Sequence, residues 1–182
     1  MSKHKPMKVL FIGPDCSGKS SIAQQVGRHF NIGVQGHRKQ KTSKLFAVEN
    51  TISVVRSMVC TGRSFIWDQF YFPVDVIYEQ VLGESPSPLH GVGHLIAEEF
   101  DKNNVIIFFI NASVETLRER FAERGDELWS IEQIIKVRQG YQRILPTLGF
   151  KYHELDTSNT TTKQTVDKVI DIINWRMGAD MK

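Results

Sequence analysis

Val9-Leu10-Phe11-Ile12 runs four apolar residues straight into Gly13-Pro14-Asp15-Cys16-Ser17-Gly18-Lys19-Ser20. An unbroken apolar run of this length suits a central parallel strand buried on both faces. The eight residues after it match G-x-x-x-x-G-K-[ST] in full, a loop that cradles phosphates. Glycines let the backbone fold into a nest whose N–H groups point inward at phosphate oxygens. A helix opening near Gly18 adds the positive end of its dipole. Gly13, Asp15, Cys16, Ser17, Gly18 and Ser21 then form the cradle, Lys19 reaches the β- and γ-phosphates, and the Ser20 hydroxyl ligates Mg²⁺. The expected ligands are ATP and Mg²⁺.

Downstream, Ile22, Val26 and Phe30 recur four apart, which predicts a helix directly after the loop. Further strands are predicted at residues 32–34, 64–67, 105–110 and 152–155. Helices are predicted at 44–58, at 73–82, over Val114 to Phe121, over Ile131 to Leu145, and over Val166 to Ile173. Ser130 with Gln133, and Thr161 with Gln164, have the spacing of capping boxes. GESPSP, residues 83–88, reads as a surface loop. Strands alternating with helices in this way predict an α/β protein with a parallel sheet and helices on both faces.

The chain has 182 residues, enough for one domain with a core of its own. Lys+Arg is 23 against Asp+Glu 20, a net +3, too small a bias to argue by itself for a nucleic-acid partner. Two cysteines, Cys16 and Cys60, exclude a disulfide framework. The N-terminal apolar run is too short for a signal peptide, and no segment has the length of a membrane helix, so the expectation is a cytoplasmic protein without membrane attachment. Neither a second D-x-x-G nor an N-K-x-D is present, which argues against a GTPase switch, and a motor ATPase needs a longer chain. A kinase for a small acceptor fits best.

The chain resembles the thymidylate kinase branch of the nucleoside and nucleotide kinases. The resemblance is carried by G-x-D-x-S-G-K-S at 13–20, Leu45-Phe46-Ala47, Trp67-Asp68-Gln69-Phe70, RFAERGDE at 120–127 and Leu155-Asp156-Thr157-Ser158. It implies a three-layer P-loop kinase fold over residues 1–182, with a lid at about 118–130 and a homodimeric assembly. It also implies site roles. Asp15 would hold the acceptor sugar, and Phe46 would stack on the acceptor base. Asp68, at a strand's carboxyl end, would orient Mg²⁺ or accept the proton of the attacking oxygen. Arg120 and Arg124, with Arg118 third, would supply catalytic cations from the lid, and Thr157 would lie in the adenine-contacting loop. The plainer alternatives are a turn role for Asp15, a core role for Phe46, a helix N-cap for Asp68 and a solvated face, paired with Glu115, Glu119 and Glu123, for the arginines.

Two positions depart from the family pattern. Gln69 and Asn50 stand where the family has arginines that contact the acceptor phosphate. Each lost charged hydrogen bond is worth about 1.5–3 kcal/mol, so the pair would cost roughly 3–6 kcal/mol of monophosphate affinity. Arg38 and Lys39, within the basic stretch 36–41, offer replacements. The same stretch suits a polynucleotide backbone, DNA or RNA, as acceptor, and an uncharged nucleoside is a third option. Phe70 and Tyr71 are expected to line a base pocket, where the amides of Asn50 and Gln69 can pair with a base edge. Phe65 and Trp67 alternate with Ile66 and read as core. His90 and His94 stand four apart, but Gly91 and Gly93 argue against a helix there, so no metal site is assigned. The leading expectation is phosphoryl transfer to a deoxynucleoside monophosphate. The alternatives are a nucleoside, a polynucleotide acceptor, or an ATP-binding regulatory module without turnover.

Overall fold

The computed structural model describes residues 5–36, 52, 53, 55–83, 91–124 and 129–179. Five strands form one all-parallel sheet: β1 (Lys8–Ile12), β2 (Val34–Gly36), β3 (Phe65–Asp68), β4 (Ile106–Asn111) and β5 (His153–Asp156), in the order β2-β3-β1-β4-β5. The chain leaves β1 toward one side and later places β4 on the other, so the order reverses at β1. The carboxyl ends of strands at such a reversal open onto a crevice.

Because side chains alternate along a strand, β1 supplies both halves of the core. Leu10 and Ile12 face one layer with Ile107, Phe109 and, at its edge, Phe65 and Trp67. Val9 and Phe11 face the other with Ile66, Phe108 and Ile110. The expected alternation of Phe65, Ile66 and Trp67 is therefore observed. The first layer is covered by α2 (Tyr71–Leu82), α3 (Gly93–Lys102) and α5 (Ile131–Ile144). The second is covered by α1 (Lys19–Phe30) and α6 (Thr162–Ala179), which meet through Ile22, Val26, Val166, Val169 and Ile173. Helix α4 (Val114–Arg124) sits over a small cluster of Cys16, Ala112, Leu117 and Ile134. This is the expected three-layer arrangement.

Strands β3, β4 and β5 each begin and end one residue later than the apolar pattern predicts. Their last residues, Asp68, Asn111 and Asp156, are polar and stand at the carboxyl edge. The strand expected at 32–34 is found at Val34–Gly36. Of the helix expected at 44–58, residues 52, 53 and 55–59 are seen to be helical, and 44–51 lie outside the described residues.

Helix α3 corrects the sequence reading. Gly91 and Gly93 argued against helix, yet Gly93 is its first residue and Ile96, Ala97 and Phe100 bury one face. A Cβ on Gly93 would stand 2.8 Å from Leu148 Cδ2 and 3.3 Å from Phe72, so the glycine marks close packing at a helix start. His94 is exposed on this helix, and His90 lies outside the described residues.

Both capping boxes form. Ser130 Oγ accepts from the Gln133 N–H while Gln133 Oε1 accepts from the Ser130 N–H. Thr161 and Gln164 exchange the same pair of bonds at the start of α6. Trp129, just before the Ser130 cap, packs on the cluster that contains Ile134, the fourth residue of α5, which is the arrangement of a hydrophobic staple.

Candidate nucleotide site

The loop after β1 is held by three left-handed residues, Gly13 (φ 147°), Cys16 (φ 61°) and Gly18 (φ 89°). At Gly13 a Cβ would lie 2.1 Å from the Ile110 carbonyl oxygen, so only glycine lets the loop pass this close to β4. Gly18 caps α1 without a side-chain bond, which leaves the helix's first N–H groups turned toward the loop.

Lys19 is 5% exposed. Its ammonium donates to the Pro14 carbonyl at 3.3 Å and to Asp15 Oδ1 at 3.4 Å. Both contacts are long for a charged bond, which ordinarily closes to about 2.7–2.9 Å. Ser17 is fully buried, and its Oγ has no hydrogen-bond partner among the described residues. A buried hydroxyl without a partner in the same loop as a buried ammonium is what a site shaped for an anion's oxygens leaves behind. Ser20 and Ser21 are exposed on the first turn of α1.

Asp68 ends β3 and is in register with Phe11 of β1, so it stands directly beside the strand that enters the loop. Its Oδ1 is buried and has no hydrogen-bond partner among the described residues. The N-cap alternative for Asp68 is not realised: α2 is capped at Phe70, with no side-chain bond. Ser20 and Asp68 each carry oxygen donors, the kind that suits Mg²⁺.

Gln69 adopts φ 63° and donates its N–H to the Phe11 carbonyl at 2.9 Å. That twist sends the next side chain inward. Phe70 is 2% exposed and meets the Trp67 ring edge-on at 4.2 Å, so it belongs to the core and does not line a base pocket as expected. Arg38, Phe46, Asn50 and the Tyr71 side chain lie outside the described residues.

Sequence reasoning left Tyr78 unassigned and missed Trp129. The Tyr78 hydroxyl, reaching from α2, donates to Asp15 Oδ2 at 2.8 Å, and its ring stands 5.7 Å from that of Trp129. Asp15 is thus gripped by Lys19 on one oxygen and Tyr78 on the other. The signal for Trp129 was available in its place before the Ser130 cap.

On the other side of the loop a cavity of about 260 Å³ opens between Gly18 and Ser21, the residues Arg120, Glu123 and Arg124 of α4, and Thr157 and Thr160 after β5. Thr157 is 4% exposed. Its hydroxyl lies 2.9 Å from the Ser17 carbonyl and 3.0 Å from the Asn111 carbonyl. Arg120 donates to the Thr157 hydroxyl at 2.9 Å, to the Thr157 carbonyl at 2.8 Å and to the Cys16 carbonyl at 3.3 Å. Arg120 therefore does not pair with the neighbouring glutamates. Arg124 is exposed at the rim, and Arg118 is exposed away from the cavity. At the start of α4 the Glu115 carboxyl is held below the usual range by its own backbone N–H and by the Ser113 hydroxyl.

Asn111 braces this side. It donates to Glu154 at 2.9 Å and accepts from the Ala112 N–H at 2.9 Å, tying the ends of β4 and β5 together. A larger cavity, about 400 Å³, lies at the opposite end of β4 and β5, between His94, His153, Trp175 and Arg176, and includes none of the loop residues.

No protein-family model and no curated protein matches the chain. Solved structures do. YorR protein from Bacillus subtilis, in complex with phosphorylated GDP, superposes with a TM-score of 0.75 at 15% identity, over 93% of this chain and 96% of that one. Deoxyadenosine kinase from M. mycoides with bound dATP gives 0.63 at 17% identity, over 92% and 100%. Thymidylate kinase from Candida albicans gives 0.60 at 14% identity, over 95% and 94%. At these identities the likeness speaks for the fold, and the fold is that of the P-loop nucleoside and nucleotide kinases.

Proposed function

We propose that a chain with this fold and this loop is an ATP-dependent phosphotransferase that delivers the γ-phosphoryl group to a nucleotide-type acceptor, with a deoxynucleoside monophosphate of the thymidylate type as the leading substrate. The observation that carries the reading is the pairing of a preformed phosphate loop, holding a buried Lys19, with Asp68 at the adjoining strand end, whose buried Oδ1 has no hydrogen-bond partner among the described residues.

Phosphoryl transfer asks for little covalent work, so positioning and charge supply most of the catalysis. The loop N–H groups and the α1 terminus hold the donor phosphates. Lys19 exchanges its long contacts to Pro14 and Asp15 for phosphate oxygens. Ser20 and Asp68 would hold Mg²⁺, which when bound neutralises charge on the transferring group. Arg120, pinned against Thr157, walls the donor's base and ribose. Arg124, with no hydrogen bond or ion pair among the described residues, is the arginine able to swing toward the transferring group. Release of Lys19 leaves Asp15 facing the acceptor, with Tyr78 steadying its second oxygen.

A second reading, in which the acceptor is a nucleoside hydroxyl, is favoured by Gln69. An amide replaces the expected phosphate-binding arginine, and its left-handed backbone turns the following Phe70 into the core. In that reaction the hydroxyl proton must leave, and Asp68 would be the carboxylate that takes it.

ADP release with Mg-ATP, measured against thymidylate, other monophosphates, free nucleosides and single- and double-stranded DNA, separates these readings. A monophosphate as best acceptor supports the first. A nucleoside supports the second. Stimulation by DNA alone moves the acceptor to a polynucleotide. No stimulation, or turnover that survives Lys19→Ala, removes the phosphotransferase reading.

A further inference from the structure

We propose that Thr157 is a positioning residue that locks Arg120 onto the phosphate loop before any nucleotide arrives. The resemblance puts Thr157 in the adenine-contacting loop. Its hydroxyl is instead fully committed inside the protein. The oxygen accepts from Arg120 Nη1 at 2.9 Å, and the single proton has two carbonyls in reach, Ser17 at 2.9 Å and Asn111 at 3.0 Å. The Asn111 carbonyl also accepts the Thr157 N–H at 2.9 Å, so Thr157 is tied to the end of β4 through its backbone whichever carbonyl takes the hydroxyl proton. One buried hydroxyl therefore joins the loop, the end of β4 and the helix α4.

The consequence falls on Arg120. A guanidinium with three committed hydrogen bonds has lost its rotamer freedom in advance, so the binding step does not have to supply that ordering. Its Nη1 lies 3.8 Å from where a Cβ on Gly18 would stand, so the cation is held against the loop at the mouth of the 260 Å³ cavity. Valine in place of Thr157 keeps the shape and removes both bonds, so the loop loses the hydroxyl's proton and Arg120 Nη1 keeps only its long contact to the Cys16 carbonyl. Serine keeps both bonds.

The inference rests on the nucleotide-binding reading, so the test measures binding directly. Mg-ATP is titrated calorimetrically into wild type, Thr157→Val, Thr157→Ser, Arg120→Ala and the Thr157→Val/Arg120→Ala double variant, each checked for a cooperative melt. Thr157→Val is expected to weaken ATP binding about tenfold or more, and Thr157→Ser to stay within about threefold of wild type. The double variant is expected to bind no more weakly than Arg120→Ala alone, because Thr157 acts through Arg120. Where turnover is measured, KM for ATP moves more than kcat. Additive losses, or equal binding by wild type and Thr157→Val, would overturn the inference while leaving the function intact. A wild-type protein that binds no ATP overturns both.

Discussion

Lys19 and Asp68 divide the labour at the level of single residues. Lys19 is a buried cation whose contacts are its own loop's carbonyl and Asp15, both at distances that an incoming phosphate oxygen improves on. Asp68 is a carboxylate whose buried Oδ1 meets no donor among the described residues. These two facts lead to a prediction that separates acceptors. Asp68→Asn should lower kcat about 10²–10⁴-fold for a hydroxyl acceptor, where a base is required. For a monophosphate acceptor, whose attacking oxygen carries no proton to remove, the loss should be smaller, because only the Mg²⁺ ligand is weakened. Steady-state kinetics with a nucleoside and its monophosphate side by side reads the difference, and equal losses would assign Asp68 to the metal alone. Lys19 and Asp68 were legible in the sequence because a motif and a strand end fix them. Tyr78 and Phe70 were not. Phe70 follows the left-handed turn at Gln69, which glutamine does not advertise, and Tyr78 meets Asp15 across 63 residues of chain.

Among the elements, the capping box of α5 has the clearest energetic meaning. Ser130 satisfies one orphan N–H, Gln133 returns a bond, and Trp129 packs beneath. Ser130→Ala should cost about 1 kcal/mol of stability, read as a shifted midpoint in chemical denaturation with an unchanged slope. A change below a few tenths would mean the cap is idle. The same box explains why α5 could be read from sequence: its start signal and its apolar stripe agree. Helix α3 shows the opposite case. Its glycine at the start looks like a breaker until the packing of Leu148 and Phe72 against that face is known. Strand boundaries failed by one residue for a related reason. An apolar pattern ends with the last apolar side chain, whereas pairing continues to Asp68, Asn111 and Asp156, the polar residues at the carboxyl edge.

At the scale of the molecule, the sheet separates a chemical edge from a structural one. The carboxyl edge carries the loop, Asp68 and the Thr157–Arg120 junction. The opposite edge holds His153, whose ring lies 5.6 Å from that of Phe108. Burial, and secondarily the charge of Arg176, lowers its pKa from the usual 6.5. The unfolded chain therefore binds this proton more readily than the folded one. Stability from this group is present above the unfolded value and is lost as pH falls below it toward the lowered folded value. His153→Gln should accordingly flatten the fall in melting temperature between about pH 7 and pH 5. An unchanged slope would place the acid sensitivity elsewhere. The alternation of strand and helix made this architecture readable from the first strand onward. Strand order was not readable, because it depends on which side of β1 each crossover takes.

Transfer of label from γ-labelled Mg-ATP tests the account most directly, with the labelled product identified across monophosphate, nucleoside and polynucleotide acceptors. The account predicts label on a single nucleotide-type acceptor class, dependence on Mg²⁺, and a loss of at least about 10²-fold in Lys19→Ala. Label that stays in ATP with every acceptor, or that reaches only inorganic phosphate, would contradict it.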